Sequence, residues 1–543
     1  MPDPTLRLKV TGALSKVIRL PPDWIAKLPD PSFDPVIADL TMDSLDVLEL
    51  CMEVETRTGA EIDPADLLAV NTIDDLVQLV AGKTKGGAAS PQPARREGPA
   101  PLSMLQESTW STCQKLQDPS AYVLRMISEI DGPLDVERLH SCLTDIVARH
   151  GILRTTFPLV DGKPVQQVAP VGKVDLPLVD LSDNLHPELA AQDLIAAESL
   201  TTDLAVGPLC RLLLVRLRPG KHLLLRLFHH LTWDGWSSKI FLDELALLYE
   251  AKRPGGKQLA LAQTMQFGDY AAWQRETYDP QGPEYRNIVA WWAERLQDVP
   301  PQPSLPFSRM ERVTAFDPGV DYMPRPIDGA VMDRLEVLRK DTGSSLYKIW
   351  LAALVALLGA GMNYSDVVIG GYVTRRRRPE LRKVIGDFAN TVPLRLACRA
   401  DAPFRDFLSD LGNSVQADEA QAEIPYGRLG HELAALGVAM PSIEFIFAAS
   451  LDHHIGELSF SDLTVKRYRL PKPQGPAWGS TIDLVKRGDE YSTVTRFDAL
   501  RYDPLLVAGF VDRLHAFVDL ASRQPKMSVG ELVDATSAAL SDA

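Results

Sequence analysis

Cysteine is scarce. The 543 residues contain only Cys51, Cys113, Cys142, Cys210 and Cys398, with no CxxC pair and no Cys/His cluster. An odd, scattered set excludes a disulfide framework and a zinc site and fits a reducing cytoplasm. Basic residues are outnumbered, 57 Lys and Arg against 72 Asp and Glu, for a net charge of −15. A nucleic-acid partner needs a basic face for phosphates, so that class is excluded. The surplus charge serves solubility. No apolar run reaches membrane length; stretches such as Ile349 to Leu358 are far too short for a span. The opening MPDPTLRLKV has no basic segment followed by an apolar one, so no signal peptide is expected. No internal repeat is evident.

What remains is an ordinary globular composition, 45% hydrophobic and 24% charged, in a chain long enough for two to four domains. Residues 82–101, GKTKGGAASPQPARREGPAP, carry Gly, Ala, Pro and charge without apolar periodicity. They read as a flexible linker spanning about 25 Å on average. The part before it, 1–81, holds fifteen Asp and Glu against six Lys and Arg. Its pattern predicts a small helical bundle. Val10, Leu14, Val17 and Ile18 make one apolar face. A second helix starts near Ser44, buries Leu45, Leu48 and Met52, and stops by Gly59. Asp63-Pro64 reads as a helix start, and Thr72 with Asp75 as a capping box. The part after the linker, 102–543, mixes strands and helices in an α/β manner. Asp135 caps a helix built on Val136, Leu139, Leu143, Ile146 and Val147. Leu209 to Leu217 and Leu223 to Phe228 are strands joined at Pro219-Gly220, and a helix resumes after Gly235.

Two motifs carry chemistry. In LTMDSLDVLEL, Ser44 stands where a helix begins, so a phosphodiester on its hydroxyl would meet free backbone N–H groups and the positive end of the helix dipole. A plain N-cap explains an isolated Asp-Ser-Leu equally well. In HHLTWDG (His229 to Gly235), a neutral histidine at a strand end can accept or guide a proton near pH 7. Amine attack on a thioester needs little more than an unprotonated amine held beside the carbonyl. An aspartate four residues past the second histidine can lock the loop by pairing with an arginine. A packed core pair of histidines and a loose acyltransferase HxxxxD are competing readings. A metal site lacks a third ligand at recognisable spacing.

The whole of 1–81, through Asp43-Ser44-Leu45 and the following Asp46, Leu48 and Glu49, resembles an acyl or peptidyl carrier protein. That resemblance implies an all-α four-helix bundle with 4′-phosphopantetheine on Ser44. From 102 to about 525 the chain resembles the condensation domains of nonribosomal peptide synthetases. The motifs occur in the family's order: LSMLQESTW (102–110, with Leu105 where a small residue is usual), RHGILRTTF (149–157), HHLTWDGWS (229–237), FGDYAAWQ (267–274) and RRRPELRKVIGDFANTVPLR (376–395). The resemblance implies two chloramphenicol acetyltransferase-like lobes, about 102–275 and 276–543, with a tunnel between them. It implies His230 as the catalytic candidate beside His229, Asp234 as a structural aspartate, and Gly235 near the thioester. Arg376 is the expected partner of Asp234, and Trp236 and Asn390 are expected to line or support the tunnel. The rest of the arginine run, 375–378, is also compatible with a solvated basic loop.

The implied activity is acyl transfer from a carrier thioester to an amine, forming an amide; ester formation and a non-catalytic recruitment platform are the alternatives. An epimerisation domain fits less well, because Gly-Trp-Ser follows Asp234 and no EGHGRE block occurs. Heterocyclisation domains have DxxxxD instead of the histidines. Plant-type acyltransferases have DFGWG, against only Ala477-Trp478-Gly479 here. No adenylation domain is seen, so loading is expected from another protein or from a further part of the assembly line. The other implied partners are a phosphopantetheinyl transferase and an acceptor carrier or free amine, with neither nucleic acid nor membrane.

Overall fold

The computed structural model describes residues 4–17, 27–28, 30, 33–34, 44–60, 62, 67, 70, 72–85, 98–116, 122–200, 203–256, 259, 261, 265–300, 305–306, 308, 320–376, 378–450, 458–468, 480–487, 490–499 and 501–541. Ile18, Asp43, Asp63-Pro64 and Ala477-Trp478-Gly479 lie outside the described residues.

Helices Pro4–Val17, Ser44–Thr58 and Ile73–Lys85 pack around one core. The first contributes Val10, Leu14 and Val17, and the third contributes Ile73, Leu76, Val77 and Val80. The middle helix turns Val47, Leu50, Cys51 and Val54 inward, while the expected side chains of Leu45 and Leu48 lie outside the described ones. It is apolar on two sides: Met52, expected in the bundle core, packs instead against the large body of the chain. Gly59 ends this helix at φ +74°, a left-handed conformation that glycine adopts without a Cβ penalty. The capping box forms, with Asp75 N donating to Thr72 Oγ1 at 3.2 Å and Thr72 N to Asp75 Oδ2 at 3.1 Å. Buried Arg7 ties the long first loop down by donating to the carbonyls of Leu28 and Phe33, and it pairs with Asp74.

The segment expected to be linker is structured at both ends. The third helix runs on to Lys85, and Ala100–Pro101 pair as a short strand with Gln166 and Val165. Gly82 costs the helix little there, because a terminal turn has few bonds to lose.

Besides the small four-stranded sheet that Ala100–Pro101 joins, the large body has two larger sheets among the described residues. The first has five strands, in the order Thr464–Arg467, Val123–Asp131, Lys221–His229, Cys210–Arg218 and Leu178–Asp180. The leucine-rich pair 210–229 turns at Gly220, φ +75°. It reads as a continuous apolar run because both of its faces are covered. Leu212, Leu214, Leu224 and Phe228 meet helices Val136–Arg149 and Gly235–Ala251. Leu213, Val215, Leu223, Leu225 and Leu227 meet helix Pro187–Ala197. The second sheet has six strands, in the order 389–397, 366–374, 445–450, 480–487, 490–498 and 320–326. It packs on the buried helix Leu346–Gly359 and on helices Phe404–Ala420 and Pro504–Arg523.

Two segments beyond the expected lobe boundary near 275 pack with elements before it. Strand Thr464–Arg467 hydrogen-bonds to Ser128–Asp131 at the edge of the first sheet. Leu381, Val384, Ile385 and Phe388 sit in the first lobe's core with Phe267 and Tyr270. Sequence order hides both crossings, since each joins elements more than a hundred residues apart. Among the described residues no single helix is long and apolar enough to cross a membrane.

Candidate functional site

The site is assembled where strand Lys221–His229 ends. The chain makes one 3₁₀ turn, His230–Thr232, and enters helix Gly235–Ala251. Asp234 caps that helix: its Oδ1 accepts from Ser237 N at 2.8 Å and from Ser237 Oγ at 2.7 Å. Trp233 stacks on Phe228 with ring centroids 3.6 Å apart, which fixes the turn from below. Gly235 is exposed, and a Cβ there would meet nothing within 4 Å.

The histidines have opposite environments. His229 is buried, its Nδ1 accepts from Leu231 N at 3.1 Å, and its ring lies parallel to Tyr122. Burial, aided by the neighbouring His230, pushes its pKa down to about 4, so it is neutral at pH 7. The His230 side chain keeps 37% of its surface. Its Nδ1 lies 3.3 Å from Asp387 Oδ2, and its Nε2 makes no hydrogen bond among the described residues. Burial opposes charge on this ring, but the Asp387 carboxylate outweighs burial and raises its pKa to about 9. Burial also raises Asp387, against the pull of His230. Both shifts have one consequence: the pair holds a proton between them at neutral pH.

Asp234 and Arg376 form a buried ion pair. Arg376 Nη2 donates to Oδ1 at 2.9 Å and to Oδ2 at 3.1 Å. Arg376 also donates to the carbonyls of Leu381 and Gly386 and lies 4.0 Å over the Phe388 ring. Phe388 N donates to Asp234 Oδ2 at 3.1 Å. One carboxylate therefore caps the helix after the histidines and pins the 376–388 segment that carries Asp387. The arginine run is not a solvated loop in its described part: Arg375 is buried, and Arg378 pairs with Glu380 and stacks on Trp273. Arg377 lies outside the described residues.

Trp236 and Asn390 act as supports, not as an exposed lining. Trp236 is buried, and its Nε1 donates to Arg382 O at 3.2 Å. Asn390 is buried too, and its Nδ2 donates to the carbonyls of Ala422 and Ile424. The other sequence blocks bond to this turn, to the helix that follows it and to one another. Ser103 and Gln106 form a capping box, and Gln106 Nε2 donates to Leu231 O at 2.9 Å. Gln274 Oε1 accepts from Met104 N at 2.9 Å. Arg149 and His150 both bond Glu244.

Sequence reasoning missed Asp387, Tyr122 and Gln106. Asp387 left a signal, an acidic residue inside the apolar stretch VIGDFANTV. Tyr122 left none. Gln106 was legible only as a cap.

Ser44 is the first residue of helix Ser44–Thr58. A 15-residue helix offers its free N–H groups to an anion at that end, so the position fits a phosphodiester. The bundle touches the body beside the ion-paired segment. Arg382 Nη2 donates to Ile62 O at 2.6 Å, Lys383 Nζ to Glu55 Oε1 at 3.0 Å, and Met52 packs on the first lobe's core. A separate cavity of about 300 Å³, lined among others by Gly132, Arg216 and His222, lies at the opposite end of the histidine strand and touches none of these residues.

Comparison with known proteins bears on this geometry. Residues 9–80 match the family model for a phosphopantetheine attachment site, and residues 96–538 that for a condensation domain. Phosphinothricin tripeptide synthetase PhsC of Streptomyces viridochromogenes is 28% identical over 459 residues, 82% of this chain and 42% of that protein. Chondramide synthase cmdD of Chondromyces crocatus is 31% identical over 348 residues, 64% of this chain and 9% of that protein. The chain thus spans less than half of either relative. Among solved structures, the X-domain in complex with OxyB from teicoplanin biosynthesis superposes with a TM-score of 0.69 at 23% identity, covering 82% of this chain and 98% of that one. The first condensation domain of the calcium-dependent antibiotic synthetase, in complex with a substrate analogue, gives 0.66 at 24% identity, covering 80% and 99%. These likenesses establish the fold. An attachment domain of the matched kind carries covalent 4′-phosphopantetheine. The chain belongs to the condensation-domain family of nonribosomal peptide synthetases, with a phosphopantetheine carrier domain ahead of the condensation domain.

Proposed function

We propose that this chain transfers an acyl or aminoacyl group from a thioester on its own carrier domain to an amine, forming an amide. The observation that carries this reading is His230: a histidine at a strand end, gripped through Nδ1, with an open Nε2. The 4′-phosphopantetheine arm, attached at Ser44, supplies the activated thioester. The new C–N bond replaces the C–S bond, sulfur leaves as the thiol, and the nitrogen gives up a proton. Nε2 of His230 is the group placed to steer that proton, and it receives it only in the fraction of molecules whose ring is neutral. Asp234 and Arg376 hold the turn and the 376–388 segment in register, and Gly235 leaves the approach open.

The contacts of Ile62, Glu55 and Met52 with the body support use of the fused carrier as donor. The acceptor is then an amine on a second carrier or free in solution. A hydroxyl acceptor, giving an ester, would use the same groups. A recruitment platform has no use for an open histidine. The partners that follow are a phosphopantetheinyl transferase, a loading adenylation or acyl-transferring protein in trans, and the acceptor. Five cysteines, none of them in a disulfide among the described residues, support a cytoplasmic setting.

The test loads the carrier with an acyl group and follows transfer to added amines. His230→Ala should fold and load normally but transfer about 10²–10⁴-fold more slowly, the usual contribution of a proton-handling residue. Transfer at the wild-type rate would remove His230 from the mechanism.

A further inference from the structure

We propose that Asp387 is a positioning residue for His230, holding Nδ1 as a hydrogen-bond donor so that Nε2 alone faces the reacting groups. This deepens the reading of His230 given above and rests on it, but its test reads the ring itself and needs no turnover.

The argument begins with a carboxylate that has no structural reason to be buried. Asp387 is 1% exposed, and isolated charge is costly in an apolar interior. No arginine or lysine pairs with it among the described residues. Its Oδ1 accepts only a long bond from Ala389 N, 3.4 Å. Its Oδ2 meets His230 Nδ1 at 3.3 Å. The carboxylate that stabilises the fold here is Asp234, which satisfies Arg376, Ser237 and Phe388; Asp387 makes no hydrogen bond to that network among the described residues.

The backbone shows that the placement is enforced. Gly386, just before Asp387, lies against Phe267, and a Cβ there would stand 1.9 Å from Phe267 Cδ2. On the other side, Phe388 is buried, and its N–H is held by Asp234. Asp387 is therefore clamped from both neighbours in the one position that reaches His230.

A carboxylate on one ring nitrogen selects the tautomer with the proton there and leaves the other nitrogen as acceptor. It also makes the ring a stronger base. The groups that face His230 are Asp387 and Asp234 from the acidic side, His229 on its own strand, and Tyr122, whose ring stands edge-on at 6.3 Å. Arg375 and Arg376 lie near enough to act on Asp387 or to be acted on by it. Removal of Asp387 leaves Asp234, already spent on Arg376, as the one anion among them. Burial then acts on the ring against only Asp234 and the ring's bond to its own backbone.

The experiment is ¹⁵N NMR of the full-length chain with labelled histidine, the His230 signals being identified by their loss in His230→Ala. In the wild type, His230 should titrate near pH 9 and, when neutral, carry its proton on Nδ1. In Asp387→Asn, which preserves size, the midpoint should fall by two units or more, to the ordinary histidine value or below, while His229 remains neutral. Asp387→Glu should restore part of the shift, and thermal melting checks that each variant is folded. An unchanged midpoint in folded Asp387→Asn, or a wild-type neutral ring protonated at Nε2, would overturn the proposal. If Asp387→Asn does not fold, the wild-type tautomer and midpoint decide alone.

Discussion

Asp234→Ala should cost stability before it costs chemistry. Asp234 is 3% exposed and Arg376 fully buried. Truncation leaves the guanidinium buried with only carbonyls and one hydroxyl around it. Breaking a buried pair from one side costs about 3–5 kcal/mol. The lost cap on helix Gly235–Ala251 adds about 1 kcal/mol. In a lobe of 150–250 residues, each kcal/mol lowers Tm by about 2–4 °C, so the broken pair alone predicts a fall of roughly 6–20 °C. Asp234→Asn keeps an oxygen for Ser237 N and should fall less. Arg376→Met combined with Asp234→Leu leaves no stranded charge and should lose clearly less than the two single changes added. Scanning calorimetry of the full chain reads all of these, with the first-lobe transition moving most. A wild-type Tm for Asp234→Ala would refute the reasoning and make the aspartate a reacting group.

Gly386→Ala should lose about 1–3 kcal/mol, because the new methyl must displace the Phe267 ring or the segment bearing Asp387; chemical denaturation measures the loss. Lys383→Glu should slow transfer from the fused carrier by up to about fivefold, as expected for an exposed pair worth under 1 kcal/mol, and Glu55→Lys in the same chain should restore it. His229 and His515 are both held near pKa 4 by burial, well below the free value, so the unfolded chain binds more protons between pH 6.5 and 4. Their contribution is complete above pH 6.5 and lost as pH falls towards 4, and unfolding free energy should decline over that window. His515→Gln should flatten the decline; an equally steep decline in that variant would remove His515 from the account.

The elements that local pattern controls were legible. The cap at Asp135, the turn at Gly220, the helix stop at Gly59 and the Thr72–Asp75 box all follow from residues within a few positions of one another. The pairing of Asp234 with Arg376 was legible through motif register. What escaped was decided by tertiary contact. Met52 and the inward face of its helix could not be told apart, because both sides are apolar and the body claims one. Strand Thr464–Arg467 is four residues long and joins a sheet more than 300 positions earlier. Asp387 sits in a block whose Gly, Phe and Asn drew the reading, and its partner is 157 residues away. The ends of the expected linker were missed because Pro and Gly describe only its middle.

The central claim is tested most directly by intact-protein mass spectrometry of one loaded chain. Incubation with a phosphopantetheinyl transferase and acetyl-CoA should add a single acetylated arm to the wild type and none to Ser44→Ala. On addition of amines as acceptors, the wild type should lose the acetyl group as amide product, while loaded and folded His230→Ala keeps it on the same timescale. No arm on the wild type with a competent transferase, or equal loss of acetyl from both loaded chains, would contradict an account in which Ser44 carries the donor and His230 serves its transfer.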